Sequence, residues 1–463
     1  MKCLVLPLPP SILHPLLLLA LAYPALAQDA ALKPAIPAPA MKSCLSSFDL
    51  ADGDAVIFLG DSITHQCLYT QYIEDYFYTR QPQTRLHFYN AGVNADFAVD
   101  AAMRFEDDVT PFKPKYVTLL FGMNDGAYRP FDQEKFDFYQ QNITGLMDRI
   151  KALGATPILM TPTLYDGRAN RMRNPDPALA KRDAYYNGVL ALYGAWLRQQ
   201  AEDRGFGFVD LYSPLNNLTS RQRKQNPKWT MTSDALHPDV AGQCVMAGTF
   251  IEELVKPTVV SDVQLSRQDG KWLARAATNA TVDQIHQEDG VLVFSITASA
   301  LPWVLPEDAA EGVKLARLSR FTSETLSVRG LNPGRYALKI DGHEVGQWDD
   351  EAWAAGIVLQ DNPMTPEHQQ SARVAQLNKE RNDTFERPLR TEFQNFKSKR
   401  QSVAKAVYDK SPQLEELKTQ LDLAHADLLK KMKEMRDKAK AIEDQIYAAS
   451  QPKPHRYEIA PAK

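Results

Sequence analysis

Between about residues 50 and 256, short apolar runs alternate with longer segments whose apolar positions recur every three or four residues. The runs are Ala55–Leu59, Leu86–Tyr89, Tyr116–Phe121, Thr156–Met160 and Phe206–Leu211. They are apolar on both sides of the chain, the pattern of strands covered on both faces. Segments such as Phe136–Leu153 and Asp183–Glu202 carry helical spacing between them. Strands alternating with helices in this way predict an α/β fold built on a parallel sheet with helices on both faces.

From about 257 the texture changes. Asp262–Ala276, Val291–Ala298, Glu324–Val328 and Arg335–Ile340 read as strands, with turns at Asp269-Gly270, Asn332-Pro333-Gly334 and Asp341-Gly342. Residues 257–348 are therefore expected to form a small β-rich accessory region, and 349–463 a helical one. Its last helix is expected over 413–449, where Leu414, Leu417, Leu421, Leu428, Met435, Ile442 and Ile446 build one apolar stripe. Such a stripe docks on its own protein or on a second copy, giving self-association. Lys and Glu are mixed on the other faces, which argues against a membrane-surface role.

Charge adds little direction. Among 463 residues, 53 Lys and Arg nearly balance 57 Asp and Glu, so nothing draws the chain to nucleic acid. Residues 1–27 read as a signal peptide: Lys2, an apolar core over Ile12–Ala22, then Ala25-Leu26-Ala27 before Gln28. The core is shorter than the roughly 20 residues that span a bilayer. A secreted or periplasmic protein without stable membrane insertion is expected, with an Ala/Pro-rich linker over 28–49 and the catalytic region over 50–256. Cleavage leaves Cys44, Cys67 and Cys244; if any two pair, Cys67 and Cys244 are the candidates, since each follows a chemistry-bearing motif closely.

Four segments carry the chemistry, each at the end of a predicted strand or just before the closing helix. Gly60-Asp61-Ser62 can present a hydroxyl and a backbone N–H beyond the first strand, or merely cap a helix. Asn90–Asp96 is a turn that can direct an N–H into the same space. Gly122-Met123-Asn124-Asp125 offers a neutral amide donor for an oxyanion, or an Asx turn. Asp234-Ala235-Leu236-His237-Pro238 spaces a carboxylate so that it can reach one nitrogen of an imidazole. Alone, each segment is weak. Together they supply a nucleophile, a base, its orienting carboxylate and oxyanion donors on one rim.

In this order the segments resemble those of the SGNH (GDSL) hydrolases, the secreted bacterial lipases, acylhydrolases and esterases, across about 50–255. A looser resemblance reaches about 395, through Tyr336–Gly342, Gly356-Ile357 and Thr365-Pro366. The resemblance implies a flavodoxin-like three-layer α/β/α sandwich with a parallel five-stranded sheet. It also implies acyl-ester hydrolysis with no metal and no cofactor. Carried over by position, Ser62 is the nucleophile, His237 the base and Asp234 its partner. The Ser62 and Ala95 N–H groups and the Asn124 amide form the oxyanion hole. The family usually has Gly where this chain has Ala95. The N–H survives, but the methyl narrows the pocket or constrains the turn, which points to small acyl groups.

Asp61, Tyr128, Arg129 and Trp229 are the candidate substrate contacts, with Tyr165, Arg168, Arg171 and Arg173 on the same loops. Aromatic and arginine side chains suit a small-molecule or polysaccharide ester, and the expected reaction is acetyl-ester hydrolysis on a carbohydrate. The alternatives on the same residues are a lipase- or lysophospholipase-like acylhydrolase, or an acyltransferase. A non-catalytic binding or assembly protein with a vestigial core is a further one. Metal-dependent hydrolysis through Asp61, His65, Asp234 and His237 is the weakest, because zinc-ligand spacing is lacking. A base must be neutral to accept a proton, and acid protonates imidazole. Ester turnover is expected to fall below about pH 6; a rate profile flat down to pH 4 would exclude a histidine base.

Overall fold

Runs that are apolar on both sides can be buried only inside a sheet, and the five runs form one. In the computed structural model, which describes residues 42–256 and 258–462, the strands are β1 (Ala55–Gly60), β2 (His87–Gly92), β3 (Tyr116–Leu120), β4 (Thr156–Met160) and β5 (Gly207–Val209). All pairings are parallel, in the order β2-β1-β3-β4-β5. The expected signal peptide, and the linker as far as residue 41, lie outside the described residues. Helices α1 (Ser62–His65), α2 (Leu68–Arg80), α3 (Ala98–Asp108), α4 (Gln133–Ala152), α5 (Gly167–Arg173), α6 (Ala180–Arg204), α7 (Tyr212–Arg223) and α8 (Val240–Leu254) complete the α/β unit. The chain steps from β1 to β2 on one side and returns to β3 on the other. The loops that follow β1, β2 and β3 therefore meet at a topological switch point.

Glycine decides how closely they meet. A Cβ on Gly92, the last residue of β2, would stand 2.3 Å from the His65 backbone nitrogen and 2.5 Å from the Thr64 carbonyl carbon. One on Gly60 would stand 2.1 Å from Thr64 Oγ1. Helix α1 thus lies directly on the ends of β1 and β2.

The rest of the chain adds β6 (Ser261–Gln268), β7 (Lys271–Thr278), β8 (Ala280–Glu288), β9 (Val291–Ala298), α9 (Ala310–Ala316), β10 (Glu324–Arg329), β11 (Arg335–Ile340), β12 (His343–Asp349), α10 (Asp350–Ala355) and β13 (Ile357–Val358). These are followed by α11 (Pro366–Arg381), α12 (Arg387–Tyr408), α13 (Leu414–Ser450) and β14 (Pro454–Pro461). They build two sheets, β13-β10-β6-β7 and β12-β11-β14-β9-β8, over a second core that includes Phe294, Trp353 and Tyr457. Positive φ at Asp269-Gly270 and Asp341-Gly342 makes these the tight hairpin turns that Asp-Gly favours. Strand β14 lies inside the stretch read as helical from sequence. His455, Tyr457 and Ile459 alternate inward, and the strand bridges β9 and β11.

Along α13 the stripe turns onto the chain itself, with Leu428, Ala439, Ile442 and Ile446 buried. Charge seals the same interface. Arg381 of α11 donates to Glu74 of α2 (3.2 Å), to Glu386 (3.2 Å) and to the Phe88 carbonyl of β2 (2.8 Å), all buried. Arg390 of α12 meets Asp108 of α3 at 2.6 Å. Burial pushes the Glu74 carboxyl up to about 7, with Arg381 opposing. Among the described residues the three cysteines, Cys44, Cys67 and Cys244, are free thiols, so Cys67 and Cys244 are not paired; Cys67 donates to the His65 carbonyl at 3.2 Å. Among the described residues no helix is long and apolar enough to cross a membrane.

Two outcomes follow from this packing. Gly92→Ala drives a methyl into backbone that cannot rotate away, so stability is expected to fall by about 1–3 kcal/mol; an unchanged denaturation midpoint would contradict the close approach. Arg381→Met strands two buried carboxylates, and the expected loss is about 3–5 kcal/mol. Urea denaturation measures it, and a loss below about 1 kcal/mol would mean that water reaches the pair.

Candidate active site

Strand β1 ends at Gly60, and Asp61 caps α1 by accepting from the Ile63 N–H at 2.9 Å. This places Ser62 first in the helix, where backbone N–H groups have no helical acceptor. Asp61 is buried, and burial pushes its carboxyl up to about 8, with Asp125 and Asp96 nearby adding to the rise. From β2, the Asn90 amide donates to the Thr64 carbonyl (2.7 Å) and to Thr70 Oγ1 (3.1 Å). Its carbonyl accepts from the Gly92 N–H at 2.9 Å. One side chain therefore ties the end of β2 to α1.

The segment before α8 comes to the same place. Asp234 forms an Asx turn, one carboxylate oxygen accepting from the N–H groups of Leu236 (2.9 Å) and His237 (2.8 Å). Ala235 adopts φ +75° inside it. The other oxygen lies 2.6 Å from His237 Nδ1, and His237 Nε2 lies 2.8 Å from Ser62 Oγ. Partial burial would raise the Asp234 pKa, but the bonds from the His237 N–H, the imidazole and the Leu236 N–H outweigh it and hold it below the usual carboxylate range. A hydroxyl in this chain can pass its proton to the imidazole while the carboxylate balances the resulting charge. Asp166 braces the loop: its N–H donates to the Ala235 carbonyl at 3.0 Å, and its carboxylate holds Arg223 (2.5 Å) and Thr230 (2.6 Å).

In the turn after β2, Ala95 sits at φ +56°, the left-handed conformation that glycine adopts without penalty. The Asn124 amide donates to the Asp96 carbonyl at 2.9 Å, and Tyr128 donates to Asn124 Oδ1 at 2.7 Å. Those two bonds fix the amide so that Nδ2 keeps its second hydrogen for another acceptor. Asp125 accepts from the N–H groups of Ala98 (2.9 Å) and Gly122 (3.0 Å), joining the second and third segments; burial pushes it up to about 7. His65 Nδ1 accepts from the Asn94 N–H at 3.2 Å. Burial, aided by Arg390, Arg387 and Arg104, holds His65 down to about 4, so it remains a neutral acceptor beneath this turn.

Ser62, Ala95, Asn124, Asp234 and His237 thus belong to connected hydrogen-bonded turns, and Asp61 and Tyr128 brace them from behind. The other candidates have surroundings of their own. Arg129 is exposed, 3.5 Å from Asp132. Trp229 packs partly against the core, and its carbonyl accepts from Arg223 at 2.8 Å. Tyr165 donates to Asp183 at 2.7 Å, Arg168 to the Pro227 carbonyl at 3.2 Å and Arg171 to the Asp183 carbonyl at 3.4 Å; Arg173 is exposed. Sequence reasoning missed Asp166, Asn90 as a tether, and Lys397, whose ammonium reaches the Ala95 carbonyl at 2.7 Å. Asn90 was accessible to it, being a polar residue that closes an otherwise apolar strand run.

Residues 58–244 match the GDSL-like lipase/acylhydrolase family. An acetylxylan esterase of Geobacillus stearothermophilus is 27% identical over 228 residues, 44% of this chain and 95% of that protein. An uncharacterized lipoprotein of Bacillus subtilis (strain 168), YqeF, is 33% identical over 78 residues, 16% of this chain and 32% of that protein. Among solved structures, a gut microbial diltiazem-metabolizing enzyme superimposes with a TM-score of 0.76 at 25% identity, covering 90% of this chain and 99% of that one. The β2-β1-β3-β4-β5 sheet with its flanking helices is the α/β fold of these enzymes, and over residues 58–244 the chain carries the GDSL-like lipase/acylhydrolase, or SGNH-type, region of an ester-hydrolysing enzyme.

Proposed function

We propose that this protein is an exported serine esterase that removes small acyl groups, acetyl first among them, from a carbohydrate. The observation that carries the reading is the unbroken chain from Ser62 Oγ to His237 Nε2 at 2.8 Å and from His237 Nδ1 to Asp234 at 2.6 Å. His237 takes the Ser62 proton as Oγ attacks the ester carbonyl carbon. The negative charge formed on the carbonyl oxygen is held by the N–H groups of Ser62 and Ala95 and by the free hydrogen of the Asn124 amide. Collapse breaks the ester bond, and the imidazolium gives its proton to the departing alcohol oxygen. Water, deprotonated by the same imidazole, then attacks the acyl-enzyme; the bond to Ser62 Oγ breaks, the imidazolium returns its proton to that oxygen, and the acid is released.

The acetyl preference is supported by Ala95 standing where the resemblance expects glycine, in a left-handed turn, and by similarity to an acetylxylan esterase. Export is supported by the pattern of residues 1–27 and by the lipoprotein relative. The relative that metabolises diltiazem matches nearly the whole chain and favours a second reading of the same site, in which the substrate is a small-molecule ester.

The test measures acid released from acetylated xylan, small acetyl esters and their long-chain counterparts. Ser62→Ala is expected to abolish release, and Asn124→Ala to lower kcat by about 10²–10³. Wild-type release by Ser62→Ala would overturn the mechanism, and faster turnover of long-chain than of acetyl esters would overturn the acyl preference.

A further inference from the structure

We infer that Lys397, on α12, is a positioning residue that holds the Ala95–Asp96 turn in the shape needed to stabilise the oxyanion. The inference rests on the serine-esterase reading above and adds a part supplied from beyond the matched family region. The Lys397 ammonium has three hydrogens and three acceptors: the Ala95 carbonyl at 2.7 Å, Asp96 Oδ1 at 2.9 Å and Asp100 Oδ2 at 3.0 Å. Its side chain is only 9% exposed, so water competes weakly for these bonds.

Charge balance alone does not account for the arrangement. Asp96 already has Arg104 at 2.9 Å, and Asp100 has Arg400 at 3.5 Å. What Lys397 adds is its bond to a main-chain carbonyl. That carbonyl belongs to Ala95, a non-glycine residue at φ +56°, which relaxes toward other conformations unless its surroundings hold it. The next carbonyl, of Asp96, accepts from the Asn124 amide at 2.9 Å. The peptide unit that Lys397 holds therefore lies between the unit that carries the Ala95 N–H and the unit whose carbonyl orients the Asn124 amide.

The remainder of α12 and its neighbours hold the same turn. Asn94 donates to Gln394 at 3.0 Å, and Val93 is buried against Leu389, Phe393 and Leu428. A helix about 300 residues away in sequence thus forms the outer wall of the turn.

The test compares wild type with Lys397→Met on p-nitrophenyl acetate, with Ser62→Ala as control and a trifluoromethyl ketone as the oxyanion-forming inhibitor. Lys397→Met is expected to lower kcat by about 10- to 100-fold, with KM within about threefold of wild type. The inhibition constant should rise by the same factor as kcat/KM falls, which lost structure elsewhere would not produce. If Lys397→Met fails to fold, the charge-balanced double variant K397M/D100N is read in the same way, and failure of both to fold would make Lys397 a folding residue and overturn the proposal. So would a folded variant with kcat within twofold of wild type, or a loss confined to KM. Wild-type turnover by Ser62→Ala would instead sink the underlying esterase reading, whatever Lys397→Met shows.

Discussion

No side chain fits between the last residue of β2 and the short helix that begins at Ser62. That exclusion governs the rest of the site. With Gly92 and Gly60 bare, α1 rests on the strand ends, and the Asn90 amide can reach the Thr64 carbonyl. The serine is then held by backbone geometry rather than by its own contacts. Its partner arrives differently: the Asx turn at Asp234 fixes His237 through two main-chain bonds and one ring bond. One component of the site is set by close packing and the other by a polar turn, and they meet because the strand order puts both at one sheet edge.

The helical region is joined to the α/β unit by buried charge as well as by apolar contact. Dry ion pairs are costly to form and costlier to break, since removing one partner strands the other. Arg381, Arg390 and Lys397 each carry a cation from α11 or α12 to a carboxylate of the catalytic unit. Asp108 shows the consequence: although burial opposes it, Arg390 and Arg104 hold its carboxyl below the usual range. An apolar interface of equal area would tolerate sliding. One built on fixed charges specifies a single register, and that register places α12 against residues 93–96.

Much of this was legible in the sequence. Strands apolar on both sides announce a covered parallel sheet, and Asp-Gly pairs announce tight hairpins. The side chains that the fold brings together were legible where local spacing expressed their proximity: His237 lies three positions after Asp234, and a strand precedes each of the first three motifs. Others depend on contacts that local spacing does not encode. Nothing about Lys397 in a Lys/Arg-rich helix distinguishes it from a solvated neighbour until the fold brings it to Ala95. Strand β14 is eight residues long with proline at both ends, and its pairing partners lie more than a hundred residues earlier. For the rim arginines, loop composition suggests substrate, and the fold shows Arg168 and Arg171 donating to main-chain carbonyls.

Ala95 links these threads. A glycine there would reach the left-handed conformation freely, but it would also leave it freely, since glycine surrenders more conformational freedom on ordering than any other residue. Alanine reverses the balance: it restricts the unfolded chain and makes the folded turn strained. The substitution is tolerable only where other contacts over-determine the conformation, and this turn has them. His65 accepts from Asn94, Gln394 accepts from its side chain, Asn124 donates to the Asp96 carbonyl, and Lys397 donates to the Ala95 carbonyl. Ala95 thus stands where the resemblance expects glycine, and α12 supplies two of the four bonds that surround it.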